Sequence, residues 1–260
     1  MTLRRAVMFV AVTLATTSAL GAGLRDYSAV TYNTQGAKWS DVFSLVPKYD
    51  IVALQEAGAQ PTMWGTATTA ATKKCGELEF KALMYTWKYG TKGGTAYVYF
   101  LESDAFGNRV NAAVVTKQKA KETTIICPQP DNTKAGKSVR PPLGVKMPND
   151  AEYFTTHAGS YGKNSYNDAD NIIKAVNDLL PASGGICWAI LGDFNRDAAK
   201  LKKVTNVRVI HSNDATHMGD EGSELDYMVA RDTKCAEDMT AERGNGKSSD
   251  HVPVGFLAKR

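Results

Sequence analysis

Ile190-Leu191-Gly192-Asp193-Phe194-Asn195 reads as an apolar strand that ends in an acid and an amide. A carboxylate at the end of a buried run is costly to desolvate unless it is paired or holds a metal. The same arrangement recurs along the chain. Asn33 ends the alternating segment 27–33. Glu56 follows Ile51-Val52-Ala53-Leu54-Gln55, and His157 ends 153–157. Asp226 lies within Leu225-Asp226-Tyr227-Met228-Val229, and Asp250-His251 introduces 252–257. One such acid is commonplace. Four, with two histidines and two asparagines at similar strand ends, predict a shared polar centre built by strands remote in sequence.

Further segments rich in β-branched and aromatic residues predict strands at 97–101, 110–116, 123–127, 143–147 and 186–191. Ile172, Ile173, Val176, Leu179 and Leu180 recur at helical spacing, so 168–180 is expected to be a helix that Pro181 stops. A second helix is expected at 39–46, ended by Pro47. The polar stretch 128–139 reads as an exposed loop. Lys117, Lys119 and Lys121 alternate as along a strand edge, where lysines guard against unwanted pairing or attract a polyanion. Many strands, few helices and no linker predict one α+β domain built on packed sheets.

The 260 residues are 43% hydrophobic and 22% charged, which excludes disordered, collagenous and coiled-coil classes. The net charge of +4 neither requires nor opposes a polyanionic partner. Arg4-Arg5, the apolar run 6–15 and the small residues up to Ala22 have the three-part layout of a secretory signal. An N-terminal membrane anchor is the competing reading of 1–22. The folded domain is then expected at 23–260, with no stable membrane insertion. Cys75, Cys127, Cys187 and Cys235 include no Cys-x-x-Cys pair, and in an exported chain they favour disulfides. Three pairings exist, and the expectation is one link in each half of the chain, Cys75–Cys127 and Cys187–Cys235.

Aspartate and glutamate oxygens, without cysteine or clustered histidine, suit a hard cation such as Mg²⁺, with Mn²⁺ or Ca²⁺ as alternatives. Such an ion works on phosphate oxygens. His251 beside an aspartate suits proton transfer near neutral pH. Arg109 and Arg140 offer planar grips on phosphate, although Arg109 has Glu102 and Asp104 as structural partners to weigh against that role. His211 and His217 have no motif around them and receive no role.

Gly192-Asp193-Phe194-Asn195, Leu225-Asp226-Tyr227 and Ser249-Asp250-His251-Val252-Pro253-Val254, in that order, resemble the DNase I-like superfamily of endonucleases, exonucleases and phosphatases. Thr31-Tyr32-Asn33-Thr34-Gln35-Gly36 resembles the Trp-Asn-x-Gln-Gly opening of the catalytic subunits of cytolethal distending toxins. Gln55-Glu56-Ala57-Gly58, Tyr85-Thr86-Trp87, Arg109-Val110-Asn111, Arg140-Pro141 with Leu143-Gly144, and His157-Ala158 extend that likeness. The resemblance implies a four-layer α/β/β/α sandwich and metal-dependent hydrolysis of DNA phosphodiesters. It implies Glu56 and Asp250 as metal ligands, and His157, Asp193, Asp226 and His251 as catalytic residues. Asn33, Arg109, Arg140 and Asn195 are implied to bind substrate. It also implies secretion, delivery by lectin-like or pentameric binding subunits, and action in a target-cell nucleus, though no basic run reads as a nuclear signal. Tyr32 replaces the usual tryptophan, Gly93-Gly94 replaces a more polar approach to the next strand, and 128–139 is longer than its counterpart.

Two rival functions use the same motifs: a phosphoinositide phosphatase or sphingomyelin phosphodiesterase, and a non-catalytic binding protein. Gln55-Glu56-Ala57-Gly58 and Arg140-Pro141 with Leu143-Gly144 favour the toxin-like reading over the former. Retention of every expected ligand and both histidines opposes the latter.

Overall fold

The structure, a computed structural model, describes residues 23–36, 38–90, 93–104, 107–128, 140–159, 168–180, 185–201, 205–219, 222–231, 234–246 and 248–259. The secretory-signal segment and all of 128–139 except Pro128 lie outside the described residues.

In chain order the strands are β1 Ala29–Asn33, β2 Ile51–Gln55, β3 Thr68–Cys75, β4 Leu78–Tyr89, β5 Gly94–Leu101, β6 Ala112–Thr116 and β7 Glu122–Ile125. They continue with β8 Leu143–Lys146, β9 Glu152–His157, β10 Trp188–Asp193, β11 Val207–Ile210, β12 Asp226–Arg231, β13 Met239–Arg243 and β14 Val254–Ala258. The helices are α1 Trp39–Leu45 and α2 Asp168–Leu179. One sheet has the order β13-β14-β1-β2-β6-β5-β4-β3, and the other β11-β12-β10-β9-β8-β7.

The apolar runs are continuous because the central strands are buried on both faces. In β10, Ala189 and Leu191 point into the layer between the sheets, beside Tyr153, Met228 and Phe256. Trp188 and Ile190 point outward, where Ile172, Ile173 and Val176 of α2 cover them. In β2, Ile51 and Ala53 face the inter-sheet core. Val52 and Leu54 meet Trp39, Val42 and Leu45 of α1. Full burial of one such aliphatic or aromatic side chain is worth about 1.5–3 kcal/mol. Three apolar interiors thus separate four layers, the expected sandwich.

Ten expected strands appear, with ends shifted by one to three residues. β3, β4, β11 and β13 were not expected. β3, β11 and β13 are sheet edges, paired on one side only. Thr68–Cys75 is largely exposed, so no apolar face marks it. The lysines of 117–121 are not on a strand edge: they span the crossing from β6 in one sheet to β7 in the other. Lys117 pairs with Asp50 at 3.4 Å and Lys121 with Asp150 at 3.0 Å.

Both disulfides have the expected pairing, Cys75–Cys127 and Cys187–Cys235. The first joins the end of β3 to the segment after β7, and so links edges of the two sheets. The second ties the start of β10 to the β12–β13 connection.

Pairing direction sets where the site lies. β1 runs parallel to β2, with Asn33 opposite Gln55. β9 runs parallel to β10, with His157 opposite Asp193. β12 is antiparallel to β10, which sets its first residue, Asp226, opposite Asp193. β14 is antiparallel to β1, so the residues preceding it lie beside the end of β1. One end of the sandwich therefore collects every strand-end polar residue.

Candidate active site

Asp193 is the centre of this collection and is buried. Asn33 Nδ2, from the other sheet, donates to its Oδ2 at 2.9 Å. His157 Nε2 lies 3.5 Å and His251 Nε2 3.6 Å from the same oxygen. The Asn195 backbone N–H donates to Oδ1 at 2.8 Å. Burial and the Asp226 charge push the Asp193 carboxyl above its usual range, against the pull of both imidazoles.

His251 is held by Asp226, whose Oδ2 lies 2.7 Å from Nδ1. The same oxygen accepts from Thr216 Oγ1 at 2.8 Å. That hydroxyl in turn accepts from the backbone N–H groups of Leu225 and Asp226, each at 3.0 Å. Thr216 is fully buried and was missed in the sequence, where nothing marks a lone threonine ten residues before its partner. Burial alone would lower His251. The hydrogen bond and charge of Asp226, with the charges of Asp193 and Asp250, outweigh it and hold the imidazole up at about 9. His157 has the opposite fate. Its burial, helped by Arg140, His251 and Arg109, outweighs Asp193 and takes it down to about 4. The two imidazoles around one carboxylate thus differ in charge near neutral pH.

Glu56 follows β2 in the left-handed region (φ 47°), as do Gln35 and Asn195 after β1 and β10 (φ 46° and 48°). Each such residue costs roughly 1–2 kcal/mol, and three at one strand-end cluster mark backbone strained to aim side chains. Glu56 Oε1 lies 3.9 Å from His157 Nε2, and Oε2 accepts from Arg109 Nε at 3.3 Å. The Arg109 side chain, 73% exposed, therefore meets Glu56. What Asp104 accepts from Arg109 is its backbone N–H, at 3.2 Å. Buried Asn111 braces this corner: its Nδ2 donates to Gly58 O, and its Oδ1 accepts from the Ser103 and Asp104 N–H groups.

Arg140 and Asn195 converge on the residue after His157, donating to Ala158 O at 3.4 and 2.7 Å. The buried Arg140 Nε has no partner among the described residues. Asp250 is 44% exposed. Its segment docks on the end of β1 through Ser249 Oγ, which donates to Asn33 O at 2.8 Å. Gly36 N–H, from the same β1 end, donates to Glu56 O at 2.9 Å. The carboxylates of Glu56 and Asp250 and the amide oxygen of Asn33, all at this end of the sandwich, are oxygen donors, the ligand chemistry that suits a hard cation. All ten expected site residues lie at this end of the sandwich. One expectation changes: the histidines are clustered, because His217 lies against His251, with ring centroids 4.8 Å apart.

The profile of the Endonuclease/Exonuclease/phosphatase family matches residues 30–251. A cytolethal distending toxin subunit of Escherichia coli is 30% identical, with 90% of this chain and 92% of the relative covered. Its homolog in Salmonella typhi is also 30% identical, with 92% and 91% covered. The crystal structure of the Haemophilus ducreyi cytolethal distending toxin superposes with a TM-score of 0.75 at 26% identity, covering 92% of this chain and 100% of that one. The structure of CdtB, the biologically active subunit of cytolethal distending toxin, superposes with the same TM-score of 0.75 at 28% identity and the same coverage, 92% and 100%.

Proposed function

Since the chain belongs to the endonuclease/exonuclease/phosphatase family, and within it to the CdtB group of the cytolethal distending toxins, we propose that it is a secreted, divalent-metal-dependent endodeoxyribonuclease. It is the catalytic subunit of a toxin-like assembly. It hydrolyses DNA phosphodiesters in the nucleus of a target cell, which it reaches with separate delivery subunits. No helix among the described residues is long and apolar enough to cross a membrane.

The observation that carries this reading is the convergence of Asn33, His157 and His251 on one buried carboxylate, Asp193. Glu56 and Asp250, supported by Asn33, would hold Mg²⁺. When bound, that ion neutralises charge on the phosphate oxygens. Asp193 is a carboxylate whose affinity for protons burial increases, and it orients the attacking water and accepts its proton. Asn33 and the Asn195 N–H keep its oxygens in place. His251, charged and fixed by Asp226, stabilises the negative charge that builds as water adds to phosphorus, and moves a proton at Nε2. His157 is neutral and faces the phosphate from the opposite side. Arg109, Arg140 and Asn195 grip the remaining oxygens.

Three substrates separate this reading from its rivals: supercoiled plasmid, a phosphoinositide and sphingomyelin, each with Mg²⁺ and with EDTA. The expected result is metal-dependent nicking that exceeds release of phosphate or choline phosphate. Efficient lipid turnover without nicking would transfer the same chemistry to a lipid headgroup. Inactivity on all three would leave a binding protein.

A further inference from the structure

His217 carries no motif, and the mechanism above does not use it. The backbone nevertheless seats it against the catalytic centre. Residues 217 and 251 form an antiparallel bridge. Met218 N–H donates to Asp250 O at 2.8 Å, and Val252 N–H to Thr216 O at 2.9 Å. The two strips bring together three side chains that can each ligate a metal. His217 Nε2 is 3.8 Å from Asp250 Oδ2, and His251 Nε2 is 4.0 Å from Asp250 Oδ1. One ligand atom from each of the three lies within 4.8 Å of the others.

Two imidazoles and one carboxylate form a different donor set from the oxygens around Glu56. Hard Mg²⁺ selects oxygen, whereas imidazole suits Zn²⁺ and its neighbours. Zinc bonds of about 2.0–2.1 Å place tetrahedral ligands roughly 3.3 Å apart. The present separations must therefore close somewhat. The side chains that have to move are the freer ones: Asp250 is 44% and His217 32% exposed. His251 stays put, because Asp226 holds Nδ1 at 2.7 Å. That carboxylate–imidazole pair is the support that metal-binding histidines usually have, and it leaves Nε2 as the ligand atom. A cavity of about 350 Å³, lined by Asp214, His217, Met218 and Arg243 among others, gives solvent and ions a path to His217. Coordination gives up one contact, the Gly219 N–H to His217 Nδ1 at 3.4 Å, and sends the His251 Nε2 proton to solvent.

We propose that His217, Asp250 and His251 form a binding site for an imidazole-seeking divalent ion, Zn²⁺ being the probe, and that filling it shuts off phosphodiester cleavage. The shut-off rests on the reading that His251 is catalytic: the ion takes the Nε2 atom that faces Asp193, and draws Asp250 away from the Mg²⁺ ligands. The binding itself does not rest on that reading.

The test measures Zn²⁺ binding to the purified chain by calorimetry, and Co²⁺ binding by visible absorption, for wild type and His217→Ala. Nicking with Mg²⁺ is followed in parallel as Zn²⁺ is added. Loss of an outer-shell partner alone costs about 10–100-fold in metal affinity, so loss of a ligand is expected to cost at least about tenfold. His217→Ala should keep Mg²⁺-supported nicking within about twofold, and should resist the Zn²⁺ that stops wild type. Equal Zn²⁺ affinity in the two proteins overturns the site and points to the other cluster, Asp193, Asp226 and His251, which lacks His217. Binding that depends on His217 but leaves wild-type nicking unaffected overturns the catalytic role of His251 rather than the site.

Discussion

Asp193 stands between a charged and a neutral imidazole, and that difference gives two residue-scale predictions. His157→Ala or His251→Ala is expected to lower nicking by at least about a hundredfold, the usual scale for losing an acid–base group. Plasmid nicking at saturating Mg²⁺ measures it, and wild-type rates in either variant would remove that residue from the mechanism. The second prediction concerns stability of the metal-free protein. His251 titrates at about 9 when folded, above its ordinary 6.5. Its contribution is therefore complete below about pH 6.5 and is lost as pH rises through about 9. The size is on the order of 3 kcal/mol at 1.36 kcal/mol per unit. Urea unfolding in EDTA across that window should show a fall in stability for wild type that His251→Gln largely lacks. Parallel slopes would contradict the pairing with Asp226. Thr216→Val probes the same pair from behind. Loss of its hydroxyl leaves Asp226 Oδ2 and two backbone N–H groups short of partners, which should cost about 1–3 kcal/mol and lower the turnover number with little change in KM. Asp226 and His251 were legible in the sequence because polar groups stand out at the ends of apolar runs. Thr216 and His217 were not, because a backbone bridge between distant loops, and no local pattern, brings them in.

At the scale of elements, Gly192 shows why the Gly-Asp-Phe-Asn stretch begins as it does. A Cβ there would overlap the Thr156 carbonyl oxygen and stand 2.8 Å from its Cγ2. β9 and β10 approach closely one residue before the Asp193–His157 pair. Gly192→Ala must therefore separate the two strands, and overpacking of this kind costs about 1–3 kcal/mol. It should reduce nicking far more than it reduces folded protein, as read from activity and near-UV circular dichroism on one preparation. Unchanged activity would mean that the strand spacing does not position the acid. The central strands β2 and β10 were visible because burial on both faces writes a nearly unbroken apolar run, and β1, β9 and β12 through alternation or clusters of β-branched, aromatic and aliphatic residues. The edges β3, β11 and β13 were hidden because a strand paired on one side needs no such run.

For the whole molecule, the two sheets meet in one apolar layer and are joined at the active end by polar bonds. Gln55 Nε2 donates to Thr155 Oγ1 at 2.8 Å, and Thr155 Oγ1 to Leu54 O at 3.1 Å. The disulfides close loops with sequence separations of 52 and 48, each worth about 4 kcal/mol by loop entropy. Cys75→Ser with Cys127→Ser should lower the unfolding free energy by about 2–4 kcal/mol and leave the rate of the remaining folded protein intact, since neither β3 nor β7 carries a site residue. The choice between DNA and a lipid headgroup was not legible in the strand-end residues, which address a phosphate and say little about what it is attached to. The convergence on Asp193 is tested most directly by nicking of supercoiled plasmid by the purified chain with Mg²⁺, with excess EDTA, and with Asp193→Asn in place of wild type. The expected result is nicking in the first case and its loss, by at least about a hundredfold, in the other two. Nicking that survives both chelation and Asp193→Asn would contradict a metal-assisted centre built around that carboxylate.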